Sequence, residues 1–201
     1  SYAEKGDYPD DARRSAQICD ELLKKSTQPN RYEVRAMPFN TQASEMGAIA
    51  QGGGWLLASN QNRGFMSHPL DPTNGKSCYD LYQVMPDSKR GYQRQLLRGK
   101  VNSRFHDGPC AAPTADGMLY FTRSNFVRGK YARDEKGYNH LQVMSAQLKG
   151  RKWKHVQVLP FNDRQYSCGH PSLSADGQVL YFASDLPGGY GGTDIYMSRK
   201  E

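Results

Sequence analysis

The fold class predicted from this sequence is all-β, on three observations. The first is composition: 201 residues with 20 Gly, 11 Pro and 13 Tyr, a mixture that favours short strands punctuated by turns. The second is a recurring turn-and-strand unit. Ala115-Asp116-Gly117-Met118-Leu119-Tyr120-Phe121-Thr122 matches Ala175-Asp176-Gly177-Gln178-Val179-Leu180-Tyr181-Phe182-Ala183 with one residue fewer after the turn, and the two Asp-Gly pairs lie 176 − 116 = 60 residues apart. Each pair reads as a hairpin turn, because Gly tolerates positive φ and Asp can hydrogen-bond its own backbone. The third is an asparagine ahead of each copy, Asn40, Asn102 and Asn162, at spacings of 62 and 60. A repeat of this length built from short strands indicates β-propeller blades of four strands each. The expected architecture is a partial propeller of about two and a half to three blades with a short N-terminal helix.

The elements follow in order. Residues 1–31 differ from the rest. Asp10 to Lys25 has helical periodicity, with Ala12, Ala16, Cys19, Leu22 and Leu23 on one face, acids at its start, lysines at its end and Gln28-Pro29-Asn30 as a stop. One helix cannot bury such a stripe alone, so it packs on the propeller or ends a preceding helical array. Residues 32–201 hold the blades, at about 38–100, 101–160 and 161–201. The first contains a strand at Val34 to Phe39, a turn at Gly52-Gly53-Gly54, a strand at Trp55 to Ser59, a polar insertion from Asn60 to Ser77 with Arg63, His68 and Pro69, and strands at Tyr79 to Met85 and Gln93 to Leu97. In the second, His106-Asp107-Gly108-Pro109 leads into the first strand. Strands follow at Met118 to Arg123, His140 to Leu148 and Lys154 to Leu159, with Trp153 anchoring the outer edge. The third copy runs into Glu201 after its third strand. A propeller closes with four to eight blades, so the expectation is a piece of a longer protein, or one completed by a second chain.

The stretch Pro171 to Met197 is the most specific. Ser174-Ala175-Asp176-Gly177-x-x-Leu180-Tyr181-Phe182-Ala183-Ser184-Asp185, the loop Pro187-Gly188-Gly189-Tyr190-Gly191-Gly192 and Thr193-Asp194-Ile195-Tyr196 resemble the WD-like propeller repeat of the TolB type. The variant they resemble is that of outer-membrane-associated, OmpA-family proteins of Bacteroidetes, which combine tetratricopeptide repeats, a propeller, a β-sandwich and a peptidoglycan-binding domain. The resemblance covers residues 38 to 200. It implies that the helical segment ends a tetratricopeptide-like region. It further implies a periplasmic, outer-membrane-associated scaffold of the type IX secretion machinery, whose partners are other envelope or secretion-system proteins. Peptidoglycan would be reached only through a domain that this sequence does not contain.

Charge and cysteines set broad limits. Formal net charge is +7, which permits an acidic partner, anionic lipid or nucleic acid without choosing among them. Mean hydropathy is −0.82, and no apolar run approaches the roughly 20 residues that span a bilayer. No signal peptide is visible, so the expectation is a mature, truncated or cytosolic chain. Cys19, Cys78, Cys110 and Cys168 are spaced by 59, 32 and 58, without a zinc or redox signature. Small buried hydrophobes, a disulfide and a metal site all remain open for them.

Candidate sites fall in three places. The loop from Ser124 to Gly137 and its flanks interleave Arg123, Arg128, Lys130, Arg133 and Lys136 with Phe126, Tyr131 and Tyr138, a mixture suited to protein-interface hot spots. Stacking on nucleic acid uses the same chemistry, but no nucleic-acid fold motif is present, so nucleic acid is not an expected partner. Tyr190 in the glycine loop joins this set as an exposed aromatic. His106, Asp107 and His170 enter the innermost strands and form a candidate axial site for a small glycan or peptide, the alternative function. Asp116 and Asp176 read as turn residues, and Asp80 and Asp194 as caps. Asp185 with Asp194 offers oxygen ligands for calcium without EF-hand spacing. No Ser or Cys nucleophile stands in a strand-to-helix turn. The expectation is therefore a non-enzyme without catalytic residues, resident metal or cofactor.

Overall fold

Short alternating runs between Gly, Pro and Asp turns pair locally, and the computed structural model shows the result. It describes residues 9–26, 32–62, 70–71 and 73–200. In order these form α1 (Pro9–Ser26), β1 (Glu45–Gln51), β2 (Gly54–Ser59), β3 (Asp80–Asp87), β4 (Gly91–Leu96), β5 (Asp107–Cys110), β6 (Met118–Ser124), β7 (Phe126–Val127), β8 (Lys130–Tyr131), β9 (Leu141–Lys149), β10 (Lys152–Val158), β11 (Cys168–Leu173), β12 (Val179–Ser184) and β13 (Asp194–Arg199). Two compact units separate between Met37 and Pro38. The second contains antiparallel sheets: a first β1-β2-β3-β4, a second β5-β6-β9-β10, a third β11-β12-β13, and the hairpin β7-β8. None of these sheets closes on itself.

The repeated turns behave alike. Gly117 N–H donates to Thr114 O and Gly177 N–H to Ser174 O, both at 2.9 Å. The Thr114 and Ser174 hydroxyls each donate to the aspartate of their own turn, Asp116 and Asp176. In the first sheet Gly52 and Gly53, at φ 57° and 77°, supply the two left-handed residues of the tight turn.

The repeated asparagines are clamps. Asn102 Oδ1 accepts Leu81 N–H at 2.6 Å, while its Nδ2 donates to Leu81 O and Leu97 O. Asn162 does the same to Val143 at 2.7 and 2.9 Å, and to Leu159 O. Each amide extends a ladder past the end of its outer strand and ties the entry to the next sheet onto the sheet before. This saturates backbone groups that burial would otherwise leave unpaired.

The second sheet lies between the other two. One core joins Leu56, Ala58 and Leu81 of the first sheet to Cys110, Leu119, Phe121, Met144, Ala146 and Trp153 of the second. Another joins Val143 to Cys168, Leu180 and Phe182 of the third. Glycine stands at two equivalent points of close approach. A Cβ on Gly108 would lie 2.6 Å from Ala58 Cβ, and one on Gly169 would lie 3.2 Å from Thr122 Cγ2.

Several expectations need correction. Val34 to Phe39 is not a strand: Val34 is 94% exposed, and the first strand among the described residues is β1 instead. A bulge falls within β1, between Met46 and Ile49. The Ser124 to Gly137 loop is not irregular throughout, since it contains β7 and β8. Cys19 is exposed and only the other three cysteines are buried; all four are thiols. In α1 the stripe residues Ala16, Cys19, Leu22 and Leu23 are exposed. Most of the expected insertion, residues 63–69 and 72 with Arg63, His68 and Pro69, lies outside the described residues, as does the stop at Gln28 to Asn30.

Candidate functional site: a cationic hairpin on an aromatic base

The residues expected to bind partners separate into an interior group and a surface group. Arg123 is interior. Its Nε donates to Asp107 Oδ1 at 2.5 Å, and its side chain is 8% exposed. Its other guanidinium nitrogen donates to the carbonyls of Lys100 and Val101. Ser103 N–H completes the Asp107 carboxylate at 2.5 Å. Burial pushes the Asp107 carboxyl above its ordinary value even though Arg123 opposes that. Neither Arg123 nor Asp107 therefore has a surface to offer. Together they hold the link 100–107 between the first and second sheets. Glu45 with Ser59 and Cys168 with Ser184 face each other at the same step of the other two sheets.

The surface group is built on β7 and β8. Phe126 and Tyr131 face each other across this two-rung ladder, and both rings pack on buried Phe105, at 4.6 and 4.5 Å between centroids. Tyr131 Oη lies 4.0 Å from Cys78 Sγ, and burial raises the phenol above its ordinary value. These aromatics anchor the hairpin rather than present it. The turn is Arg128-Gly129, at φ 51° and 76°, the two-residue form whose left-handed centre matches strand twist. Arg at a left-handed position is uncommon, since Asn and Gly fit there best. The turn thus places a long cation at the tip at some backbone cost.

Around the tip Val127, Arg128, Lys130, Arg133, Lys136 and Tyr138 are all exposed. Asp134 organises the loop behind them. It accepts the N–H groups of Lys136 and Tyr138 and faces His140 Nε2 at 3.1 Å. The His140 contact first, then these amides, hold its carboxyl below the ordinary range. Arg133 is steered by a hydrogen bond to Gly137 O at 2.6 Å. Asn139 ties the base by donating to Asn125 O and Ala132 O.

Beside the hairpin an open groove is lined by Arg98, Arg104, Lys152 and Phe126. Gly99 allows it: the 98–100 link runs against Trp153, and a Cβ on Gly99 would fall 2.0 Å from Trp153 O. Sequence reasoning missed these three cations, because they come from three separate segments and no local pattern unites them. The site can engage an acidic, partly aromatic surface through charge and stacking.

The remaining candidates are dispersed. His106 Nδ1 accepts Tyr79 N–H at 3.2 Å, and its Nε2 faces Asp71 Oδ2 at 3.2 Å. Burial alone would raise Asp71, but bonds from Thr73 and the contact with His106 hold it low. His170 is exposed and left-handed, at φ 54°, on the bulge of β11, and its N–H donates to Thr122 Oγ1. Asp185 accepts Ser167 N–H at 2.5 Å and Asp194 accepts Gly191 N–H at 3.0 Å, so each terminates a loop. Among the described residues no group of three His, Cys, Asp or Glu converges. Tyr190 is fully exposed on the glycine loop. Burial pushes the Cys110 thiol up to about 12, which leaves it unreactive.

No family model matches the sequence, and no curated protein matches it. Among solved structures the chain is similar to a puromycin-hydrolyzing peptidase of Mycobacterium tuberculosis, at 13% identity and a TM-score of 0.39. The match covers 79% of this chain and spans 22% of that one. A likeness of this size carries no argument about activity.

Proposed function

We propose that this chain is part of a β-propeller and acts as a non-catalytic protein-interaction scaffold of the bacterial cell envelope, with the cationic hairpin as its docking element. The observation that carries the reading is the division of labour in that hairpin. Phe126 and Tyr131 are spent on anchoring, while Arg128, Lys130, Arg133 and Lys136 face outward from a held base. A rigid presentation lowers the ordering cost of binding. The successive antiparallel sheets and the repeat of Asp-Gly turns and asparagines support the propeller. The resemblance of Pro171 to Met197 to repeats of the PorE kind supports a periplasmic, outer-membrane-associated place in type IX secretion, with acidic envelope proteins as partners.

Affinity capture from an envelope extract tests this. The chain serves as bait beside a version with Arg128, Lys130, Arg133 and Lys136 all changed to Glu. Capture of secretion-system proteins by the first and not the second is expected. Equal capture by both would remove the hairpin from the reading, and no capture by either at low salt would remove the scaffold. All four side chains are exposed, so the reversed chain is expected to unfold like the original.

A further inference from the structure

The clamp asparagines each open a triplet that repeats in part, Asn102-Ser103-Arg104 and Asn162-Asp163-Arg164. Each triplet lines a groove where one sheet leads into the next, and Phe126 is a wall that the two grooves share. The middle residue has the same backbone role in both. Ser103 Oγ accepts the Phe105 N–H at 3.0 Å, and Asp163 Oδ1 accepts the Gln165 N–H at 2.9 Å. Serine and aspartate both serve for a bond to a backbone amide two residues on. The turn therefore does not dictate which of them stands there, but the two differ in charge.

That difference sets the grooves apart. The second contains Asp163 beside Arg164. The first has three exposed cations, Arg98, Arg104 and Lys152, and among the described residues that line it none is acidic. A cleft lined by one sign of charge focuses its field on a ligand of the other sign. The cations stand on firm supports. Arg98 O accepts the Trp153 N–H and the Lys100 N–H donates to Trp153 O, which fixes the link. The Arg104 guanidinium carbon lies 5.8 Å from the centroid of buried Phe105, and Lys152 begins β10. Between them lie buried Leu97 and half-buried Leu96 and Phe126. An acid with an apolar neighbour matches this lining, and the fixed supports lower the ordering cost of binding it.

A peptide fits better than nucleic acid. Base stacking needs a free ring face, whereas Phe126 packs on Phe105 and lies 5.7 Å from the Arg123 guanidinium carbon. The groove measures about 810 Å³, which suits a few side chains rather than a whole protein face.

We propose that the first groove takes a short acidic segment of a partner protein, its carboxylates on Arg98, Arg104 and Lys152 and an apolar side chain against Leu96, Leu97 and Phe126. This rests on the scaffold reading and gives the partner's contacting segment its chemistry. The two parts of the surface then divide the work. The exposed charges of the hairpin steer the partner and set the association rate. The groove holds the segment and sets the dissociation rate.

The probe is a labelled peptide, Gly-Glu-Asp-Phe-Asp-Glu-Gly, followed on the full chain by fluorescence anisotropy and stopped flow at low salt. Saturable binding is expected. It weakens at least ~10-fold in Ser103→Asp, and equally in the pair Arg98→Gln with Lys152→Gln. Ser103→Asp keeps the turn bond as Asp163 does, and the Gln pair changes only exposed side chains, so circular dichroism is expected to be unchanged. The Gln pair decides the result even where Ser103→Asp, close to Asp107, lowers stability. Arg13→Gln with Arg14→Gln on α1 removes the same charge and leaves affinity within about 2-fold. Reversing the hairpin charges slows association and leaves dissociation as it is.

Equal losses in the α1 pair and the groove pair would mean attraction to net charge alone and overturn the proposal. So would binding that the groove variants leave intact. Tighter binding of a single-stranded thymidine oligonucleotide or of phosphatidylglycerol vesicles, lost in the same variants, overturns it as well. Hairpin-dependent capture from the envelope extract without peptide binding removes the groove and leaves the scaffold standing. Peptide binding in the groove without any capture removes the scaffold instead.

Discussion

Arg123 and Asp107 meet in the interior at 2.5 Å, with side chains 8% and 0% exposed. The carboxylate sits on the first strand of the second sheet and the guanidinium on the next strand, and both also hold the backbone of the link that enters that sheet. Removing one member strands a buried charge. Arg123→Ala is expected to cost about 3–5 kcal/mol. Arg123→Met with Asp107→Leu is expected to recover much of that loss, because the penalty lies in the unpaired charge. Urea denaturation of the three variants checks this, and a double variant no better than the single would contradict it.

The asparagine clamps differ in what they hold. Asn162→Ala and Asn102→Ala each leave the N–H of a fully buried strand residue, Val143 or Leu81, without its amide acceptor. A loss of about 1–3 kcal/mol is expected for each. Asn40→Ala removes an exposed side chain and is expected to change monomer stability by less than about 0.5 kcal/mol. Thermal melts at low concentration compare the three. A large loss for Asn40→Ala would mean that it holds something inside the single chain.

A side chain at Gly108 is costly for two reasons. Its φ is 111°, and an added Cβ would lie 2.6 Å from Ala58 Cβ and 3.0 Å from Leu81 Cδ2. Overpacking of this kind costs about 1–3 kcal/mol before backbone strain is added. Gly108→Ala is expected to lower the melting temperature by several degrees. Gly129→Ala has open space around its Cβ but shares the positive φ, so it reports strain alone. Equal losses in the two variants would show that the close approach of the sheets contributes nothing.

Acid should destabilise the fold. Glu45, Asp71, Asp116, Asp134 and Asp176 are all held below their ordinary values, so below about pH 4 the unfolded chain binds more protons than the folded one. Stability present above that range is lost as pH falls through the depressed values. Asp107 acts in the opposite sense, since its raised value favours the folded state at low pH and the benefit fades as pH rises. Five carboxylates outnumber one, and melting temperature is expected to fall on acidification. The fall should be shallower in Asp134→Asn. Parallel curves for the two proteins would remove Asp134 from this account.

β2, β3, β4, β6, β9, β10, β12 and β13 were legible in the sequence, because alternation and turn chemistry are local: Asp116-Gly117 and Asp176-Gly177 make their hairpins from adjacent residues. β7 and β8 were hidden in what reads as a charged loop. The asparagine spacing was legible too, but not its meaning, since Asn162 acts on Val143, nineteen residues earlier. Arg123 shows the limit. In sequence it belongs to a cationic loop, and only the pairing of β5 with β6 brings Asp107 to it. Arg98, Arg104 and Lys152 likewise converge only through folding. Val34 to Phe39 shows the converse, a strand-like run that does not form a strand. The sequence by itself determined the all-β class, the turns and the periodic units, which depend on neighbours along the chain. The tertiary structure decided which charges are buried and which aromatics anchor, because desolvation and pairing depend on what lies across a sheet or on the next one.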